Sequence, residues 1–596
     1  MSRRRAESTA VALLSPPAKL HLQPPLRCLL NGFRSLRTSS ALTRRRPIVA
    51  CNYTLAFNNG RRFASQAKDA NFAVLGGGLT GLSAAYYLAK KLPSTAKITL
   101  YESSDRLGGW IKTDRVPVDI EGKSGIVSFE RGARSLSSLA GNTFRFDDLV
   151  LYDLALDLGL AINSPRPMPR YIYYPDHLVP TPPNTSIFDI FREPLYLESI
   201  GAGLGLGINS LRRRFLPSKD YSVSEWLYTV SNSRKGVGTL ASAMMHGIYG
   251  GDINKLSARC VLDRIYWGWY LPNPGLSARP MPMAEQALLE TLGQDKQIQK
   301  MALEPRSALV DFGDKGMESL PQALSAALRE QPNVTIKTGE AVQDVVYNKA
   351  NQQVQIVSSN GKNKTKYNSK IYDKVISTLS AQHIARLTGD KLPSLATAHS
   401  VSVMTVNIWF PQENLKPPGF GYLIPNSVAP ELNPEHALGV FFDSDVQTRS
   451  KDEPAGTKLF VLMGGHYYDR PDVTPPTEEE AIAQARNLLE RHLGIPRDAP
   501  AYATANFARE CIPQHYVGHQ DRLHNAHSEL TQNFGGRLAV AGGSFTRIGA
   551  VASLRAGYDS ATAAKDGLES TGLEYINDLQ QFAVVATSEI PVRHFK

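Results

Sequence analysis

Phe72-Ala73-Val74-Leu75-Gly76-Gly77-Gly78-Leu79-Thr80-Gly81 is an apolar strand that runs into a glycine turn, and the thirty residues after its start decide the fold. An Ala/Leu-rich stretch continues to Pro93, and Ile98-Thr99-Leu100-Tyr101 then reads as a second strand ending on Glu102. Strand, glycine turn, helix, strand and acid in that order predict a dinucleotide-binding βαβ unit. Gly76 makes the tight turn, Gly78 lets the backbone approach a pyrophosphate, and Gly81 lets the helix lie close on the sheet, with the helix N-terminus facing the phosphates. Glu102 stands where a carboxylate accepts hydrogen bonds from a ribose. A purely structural glycine turn would not need that acid.

At 596 residues the chain exceeds what one core supports, so two or more domains are expected. The composition, 42% hydrophobic and 20% charged, is that of an ordinary globular protein. The net charge of +11 is confined to the tail. Residues 1–67 hold eleven Arg and Lys19 against the single acid Glu7, while the remaining 54 basic and 54 acidic residues cancel. An Arg- and Ser-rich, acid-poor tail has the composition of a mitochondrial transit peptide, and Arg61-Arg62-Phe63-Ala64-Ser65 reads as its processing site. The neutral body gives no reason to expect a nucleic-acid partner. Cys28 and Cys51 fall in the tail and Cys260 and Cys511 stand far apart, so neither a disulfide framework nor a metal site is expected.

Further strands are expected far downstream, at Val334-Thr335-Ile336-Lys337, Val354-Gln355-Ile356-Val357, Val375-Ile376-Ser377 and Leu538-Ala539-Val540. The last runs into Gly542-Gly543 and a small-residue helix, which brings a second helix N-terminus back to the nucleotide. The fold class is therefore α/β, with a Rossmann-like domain assembled from discontinuous pieces. Residues 166–300 read as helical and irregular, and 400–470 as a β-rich meander. Thr477-Glu478-Glu479-Glu480 caps an amphipathic helix that ends at Gly494.

Glu102-Ser103-Ser104-Asp105-Arg106-Leu107-Gly108-Gly109-Trp110 extends the acid into a pattern that resembles the flavoproteins comprising amine oxidases, phytoene desaturases and protoporphyrinogen oxidases. From residue 70 onward the chain is similar to the mitochondrial protoporphyrinogen oxidases. The resemblance is carried by His246-Gly247-Ile248-Tyr249-Gly250-Gly251-Asp252, Gly316-Met317-Glu318-Ser319-Leu320, Gly419-Phe420-Gly421-Tyr422-Leu423-Ile424-Pro425 and Cys511-Ile512-Pro513-Gln514-His515, in that order. It implies one noncovalent FAD per chain, held by Gly76, Gly77, Gly78, Leu79, Thr80 and Gly81. It further implies contacts at Glu102, Ser103, Arg106, Gly109 and Trp110, at Gly132, Ala133, Arg134 and Ser135, at Val342 beside the adenine, and at Gly543, Ile548, Gly549 and Ala550. For substrate it implies Arg170 as the propionate anchor, Gly247 beside the macrocycle, Phe420 and Leu423 sandwiching pyrrole rings, and Phe441 and Leu462 along the wall. Two departures touch the flavin side: Ala133 stands where the family usually has Pro, and Val551-Ala552 replace Asn-Asp.

The resemblance implies oxidation of protoporphyrinogen IX to protoporphyrin IX in haem biosynthesis, with molecular oxygen as acceptor, hydrogen peroxide as by-product and no named catalytic base. It implies location at the mitochondrial inner membrane, and it admits a homodimer. The implied division is a transit peptide at 1–67, an FAD-binding domain from 68–165, 301–395 and 531–596, a helical membrane and substrate region at 166–300, and a substrate-binding domain at 396–530. A flexible tetrapyrrole with two propionates needs apolar walls and a cation rather than acid–base machinery, and Arg170 sits among aromatics that suit a bidentate carboxylate contact. The run Ser199–Leu211 is uncharged over thirteen residues, short of the ~20 needed to span a bilayer, and Arg212, Arg213 and Arg214 come directly after it. A monotopic attachment is the expectation. The competing readings are an amine or polyamine oxidase of the same fold, which would want an aromatic cage near Gly542-Gly543-Ser544-Phe545, and a non-enzymatic protein with a structural flavin.

Overall fold

The computed structural model describes residues 69–137, 146–181, 191–212, 214–271, 278–304, 309–360, 367–574, 582–587 and 590. The expected transit peptide, its processing site, residues 182–190 and Arg213 lie outside them.

A five-stranded parallel sheet forms the nucleotide side of the molecule, in the order Val334–Lys337, Lys97–Tyr101, Asn71–Leu75, Lys374–Ser377, Leu538–Val540. Its strands come from three separated stretches of chain. Along the first strand, Phe72 and Val74 enter one hydrophobic core while Ala73 and Leu75 enter another. That is why this strand is an unbroken apolar run: both of its faces are covered. Helices Leu79–Lys91 and Ala550–Asp566 cover one face and cross closely, since Gly557 leaves room for Thr80 O and Ser83 Cβ at 2.6 Å from where its own Cβ would lie. A three-stranded antiparallel sheet, Glu340–Asn348, Gln353–Asn360 and Tyr367–Tyr372, packs on the other side.

The second layer is a seven-stranded sheet in the order Tyr502–Gln514, His399–Phe410, Thr457–Gly464, Ala437–Phe441, Gly421–Leu423, Arg170–Tyr173, Leu178–Thr181. Its pairs are antiparallel except the one joining Gly421–Leu423 to Arg170–Tyr173, so the sheet is mixed. Arg170–Tyr173 and Leu178–Thr181, which the sequence places in a helical and irregular region, are therefore strands. The alternation of Arg170-Tyr171-Ile172-Tyr173 explains this: Tyr171 and Tyr173 face the covered core with Tyr422, and Arg170 and Ile172 face the other way. The core face is closed by helix Glu478–Leu493, which carries the expected Thr477/Glu480 capping box, a left-handed Gly494 at its end, and Ala481, Ala485, Leu488 and Leu489 inward.

Helices Pro194–Ser210, Val223–Ser231, Lys235–Tyr249 and Asp263–Tyr270 pack beside the sheet edge. Pro194–Ser210 shows an apolar stripe to solvent, with Leu204 at 66% and Ile208 at 55% exposure and Leu211 just beyond at 79%. Leu206 turns inward onto the helical core, and Gly205 meets the Ser231 carbonyl backbone directly. Arg214 is tied down, donating to Trp269 O and Ser210 O at 3.1 and 2.8 Å, whereas Arg212 is exposed. Among the described residues no helix is long and apolar enough to cross a membrane.

The glycine turn separates two roles that the motif leaves merged. A Cβ at Gly81 would lie 1.8 Å from Gly76 O, so this position must be glycine for the turn to close. A Cβ at Gly78 would have its nearest neighbour, Gly109 Cα, at 3.9 Å. Gly81→Ala is accordingly expected to destabilise the protein by at least the ~1–3 kcal/mol typical of overpacking, while Gly78→Ala leaves the melting temperature within a few degrees. Thermal unfolding of the two variants checks this, and equal melting temperatures would contradict it.

Candidate functional site

The glycine turn and the loop after the second strand fold onto one another. Gly77 N donates to Glu102 Oε2 at 2.7 Å, Ser104 N donates to Glu102 Oε1 at 2.8 Å, and Gly108 N donates to Gly77 O at 2.8 Å. The Glu102 carboxylate is thus fixed at the mouth of the turn. Ser103 flanks it, its hydroxyl 3.4 Å from Glu102 Oε1. Arg106 is consumed by its own loop, donating to Leu107 O, Ile111 O and Gly109 O, so it shapes the Gly108-Gly109 turn and leaves Trp110 56% exposed. Gly339 N and Glu340 N donate to Ser104 O and Glu102 O, which brings Val342 alongside.

Two helix N-termini end in this region. Leu79–Lys91 starts at Gly78 and Ala550–Asp566 at Gly549, and neither has a side-chain cap or an acid in its first turn. Thr80 lies against Gly542, 3.3 Å from where its Cβ would be, so the C-terminal loop does return to the first helix. Uncapped N–H groups, an acid at the strand end and open space over Gly78 and Gly549 fit a dinucleotide. Among the described residues no group of His, Cys, Asp or Glu could hold a metal ion.

Residues 130–135 join this cradle to the large sheet. Gly132 must be small, because its Cβ would lie 2.4 Å from Trp110 O. The Arg134 side chain points away from the cradle. Its Nε binds both Asp443 oxygens at 2.9 and 3.1 Å, and its terminal nitrogens donate to Gly132 O and Glu130 O. Backbone, and not the guanidinium, is what Arg134 offers a ligand. Burial pushes the Glu130 carboxyl up to about 7, against the pull of the Met317 N–H and the Thr113 hydroxyl.

The register of the seven-stranded sheet brings four of the six expected substrate residues, Arg170, Leu423, Phe441 and Leu462, to one face. Arg170 pairs with Gly421, Gly421 with Phe441, and Phe441 with Phe460; one pleat on, Ile172 pairs with Leu423, Leu423 with Gly439, and Gly439 with Leu462. All lie opposite the helix-covered core. Phe420 and Phe441 meet edge-on at 5.4 Å, and the Arg170 guanidinium lies 5.3 Å from the Phe420 ring centre. Gly247 and Gly439 give Leu423 its place, since a Cβ on either would come within 3 Å of it. Arg170 is exposed and Phe420, Leu423, Phe441 and Leu462 are half-buried, an apolar wall with a cation at its edge. The contribution of Gly439 is missed by motif reading, although a glycine inside Ala437-Leu438-Gly439-Val440-Phe441 signals a close approach.

One histidine contact holds the wall and another holds the C-terminal loop. His246 Nδ1 donates to Ile424 O at 2.6 Å, so its Nε2 is bare and accepts from His466 Nε2 at 2.9 Å. Burial and the neighbouring His466 push His246 down to about 3. His515 Nε2 donates to Gly543 O at 2.8 Å, and burial lowers it to about 4. Phe545 is buried in the nucleotide-side core, so the C-terminal loop presents no aromatic cage.

The pattern of the flavin containing amine oxidoreductases matches residues 79–547. The chain is 30% identical over 492 residues to the protoporphyrinogen oxidase of Schizosaccharomyces pombe, covering 79% of this chain and 94% of that one. It is 26% identical over 514 residues to the protoporphyrinogen oxidase of Homo sapiens, covering 82% and 97%. A solved structure from Exiguobacterium sp. 255-15 superposes with a TM-score of 0.60 at 20% identity over 84% of this chain and 99% of that one, which speaks to the fold alone. Cradle, wall and these likenesses agree: the chain belongs to the flavin containing amine oxidoreductase family and, within it, to the protoporphyrinogen oxidases.

Proposed function

We propose that this protein oxidises protoporphyrinogen IX to protoporphyrin IX in haem biosynthesis, in three two-electron steps, with noncovalent FAD in the glycine cradle and molecular oxygen as final acceptor. The observation that carries the reading is the wall itself: a half-buried apolar sheet face with Arg170 at its edge and the buried, neutral His246 behind it. FAD, when bound, supplies the hydride acceptor and the route to oxygen. The chain supplies the rest. Glu102 receives the ribose, Gly78 and the two helix ends receive the pyrophosphate, and Val342 borders the adenine. Phe420 and Leu423 flank the pyrrole rings, Gly247, Phe441 and Leu462 leave them room, and Arg170 orients the macrocycle through a propionate. The chain divides accordingly: 68–165, 301–395 and 531–596 bind FAD, and 396–530 with the strands at 170–181 binds substrate.

Arg170→Ala is expected to lower kcat/KM by about ten- to hundredfold, the ~1.5–3 kcal/mol of a charge-assisted contact, with flavin content unchanged. Arg170→Lys recovers part of it, keeping the charge but not the planar fork. Steady-state kinetics decide, and an unaltered Ala variant would move the anchor elsewhere. Gly78→Val is expected to fold but to be purified colourless, since the branched side chain occupies the phosphate path. A yellow variant of normal flavin stoichiometry would contradict that role.

We also propose that the protein is imported by its Arg-rich tail, matures near Ala64, and sits on the mitochondrial inner membrane through the stripe Leu204, Ile208 and Leu211, with Arg212 at the headgroups. N-terminal sequencing of the mature protein tests the first part. Changing Leu204, Ile208 and Leu211 together to Ser should release yellow, folded protein into the soluble fraction at high salt, and retention in the membrane would place the anchor elsewhere.

A further inference from the structure

The second helix end at the cradle is fixed from behind. Helix Ala550–Asp566 starts at Gly549 with no side-chain cap and no acid in its first turn. A capping side chain would hold such an end, but it would also take up N–H groups that the end offers to an anion. Here the hold comes from Arg547, two residues before Gly549. Its Nη1 donates to Asp147 Oδ2 at 2.8 Å, its Nη2 donates to Glu285 Oε1 at 3.4 Å, and its Nε lies 3.2 Å from Asp263 Oδ2. Arg555, one turn and more along the same helix, reaches Glu285 Oε2 at 3.4 Å and Asp147 Oδ1 at 3.6 Å. Asp147, Asp263 and Glu285 are all buried.

The three acids belong to three elements. Asp147 comes just before helix Asp148–Asp157, Asp263 opens helix Asp263–Tyr270, and Glu285 lies in the first turn of helix Met283–Thr291, its Oε2 accepting from Phe146 N at 2.8 Å. They converge on one guanidinium, whose planar fork presents donors in several directions at once. The rest of the loop is held on the same side: His515 donates to Gly543 O, and Ile548 packs against the helical core. Gly549 is open, with nothing within 4 Å of where its Cβ would lie. The loop is thus clamped behind and free in front. Buried ion pairs add little net stability over apolar packing, so a cluster of this kind is better suited to fixing a position. We infer that Arg547 is a positioning residue for the flavin: by gripping Asp147, Asp263 and Glu285 it holds the uncapped N-terminus of helix Ala550–Asp566 at the cradle and leaves its N–H groups to the pyrophosphate. The inference rests on the reading of the glycine cradle as an FAD site and deepens it.

The test uses the flavin-loaded protein. Wild type is purified first and its flavin identified and counted; wild type that holds no FAD would remove the cofactor reading, and this inference with it. Arg547→Gln alone would leave the three acids facing Arg555, so it is combined with Asp263→Asn, which restores the charge balance of the cluster. In this double variant the FAD Kd, measured by flavin fluorescence on release from the holoenzyme, is expected to rise about tenfold or more, the scale of one lost charge-assisted hydrogen bond. At saturating FAD its KM for protoporphyrinogen is expected to stay within about twofold of wild type, since substrate binding is not the function removed. Arg547→Lys is expected to fall between the two in FAD affinity, because it keeps the charge but not the fork. An FAD Kd equal to wild type in the double variant, or a KM that rises in step with it, would assign the cluster a structural role and overturn the inference. Should the double variant fail to fold, Arg547→Lys is read in its place, with a raised FAD Kd at unchanged KM as the expected result. Failure of both to fold would likewise assign a structural role and overturn the inference.

Discussion

One buried ion pair sets the geometry on which the rest of the molecule relies. The nucleotide side and the large sheet have separate hydrophobic cores, and packing within each says nothing about how they face one another. Arg134 couples them. Its guanidinium binds the Asp443 carboxylate, takes the carbonyls of Glu130 and Gly132, and lies 3.1 Å from the centre of the Phe460 ring. A second buried pair, Lys458 to Glu453 at 2.8 Å, lies at the same joint, and Lys458 also donates to Ser128 O. Buried pairs contribute little net stability compared with apolar replacements, but losing one partner leaves an uncompensated charge at a cost of ~3–5 kcal/mol. Such a joint suits fixing register more than adding stability, and register is what a site built across two cores requires.

The same economy marks the chemistry. Two buried histidines of the site are held neutral: His246 and His515 are pushed far down by burial, and each has one ring nitrogen committed to a backbone carbonyl. They act as fixed donors that brace Ile424 and Gly543, one behind the wall and the other on the C-terminal loop. A site of this kind stabilises a geometry and excludes water, leaving redox work to the cofactor. Amine oxidation would ask for an aromatic pair by the C-terminal loop, and the burial of Phe545 withholds it.

The nucleotide unit was legible because its constraints are local. Gly81 must clear Gly76 O, the strand Asn71–Leu75 must be apolar on both faces, and Glu102 must end the next strand; each leaves a mark within about thirty residues. The strands at 334–337, 374–377 and 538–540 were readable from short apolar runs next to turns. The resemblance also names Arg170, Phe420, Leu423, Phe441 and Leu462 as substrate contacts, but that Arg170, Leu423, Phe441 and Leu462 share one face follows from the sheet register. What stayed hidden depends on pairing over long separations. Nothing local to Arg170-Tyr171-Ile172-Tyr173 says that it will lie parallel to Gly421–Leu423, and this put two short strands at the start of a region expected to be helical and irregular. Arg134 reads as a ligand contact until Asp443, 309 residues away, is seen to claim its side chain. The inward turn of Leu206 comes from Gly205 resting on Ser231, a contact that hydropathy does not encode.

Helix Lys235–Tyr249 connects the wall to the apolar surface, and its two faces serve different neighbours. Inward, Gly247 yields to Leu423 and His246 grips Ile424; outward, Met244 and Ile248 remain exposed. Helix Pro194–Ser210 packs beside it, with Leu195 and Tyr196 buried against Ile172 and Val179 while Leu204 and Ile208 face solvent. Two helices that brace the edge of the wall therefore also carry the exposed apolar stripe. The braced edge of the wall and the exposed apolar surface are two results of the same helix packing.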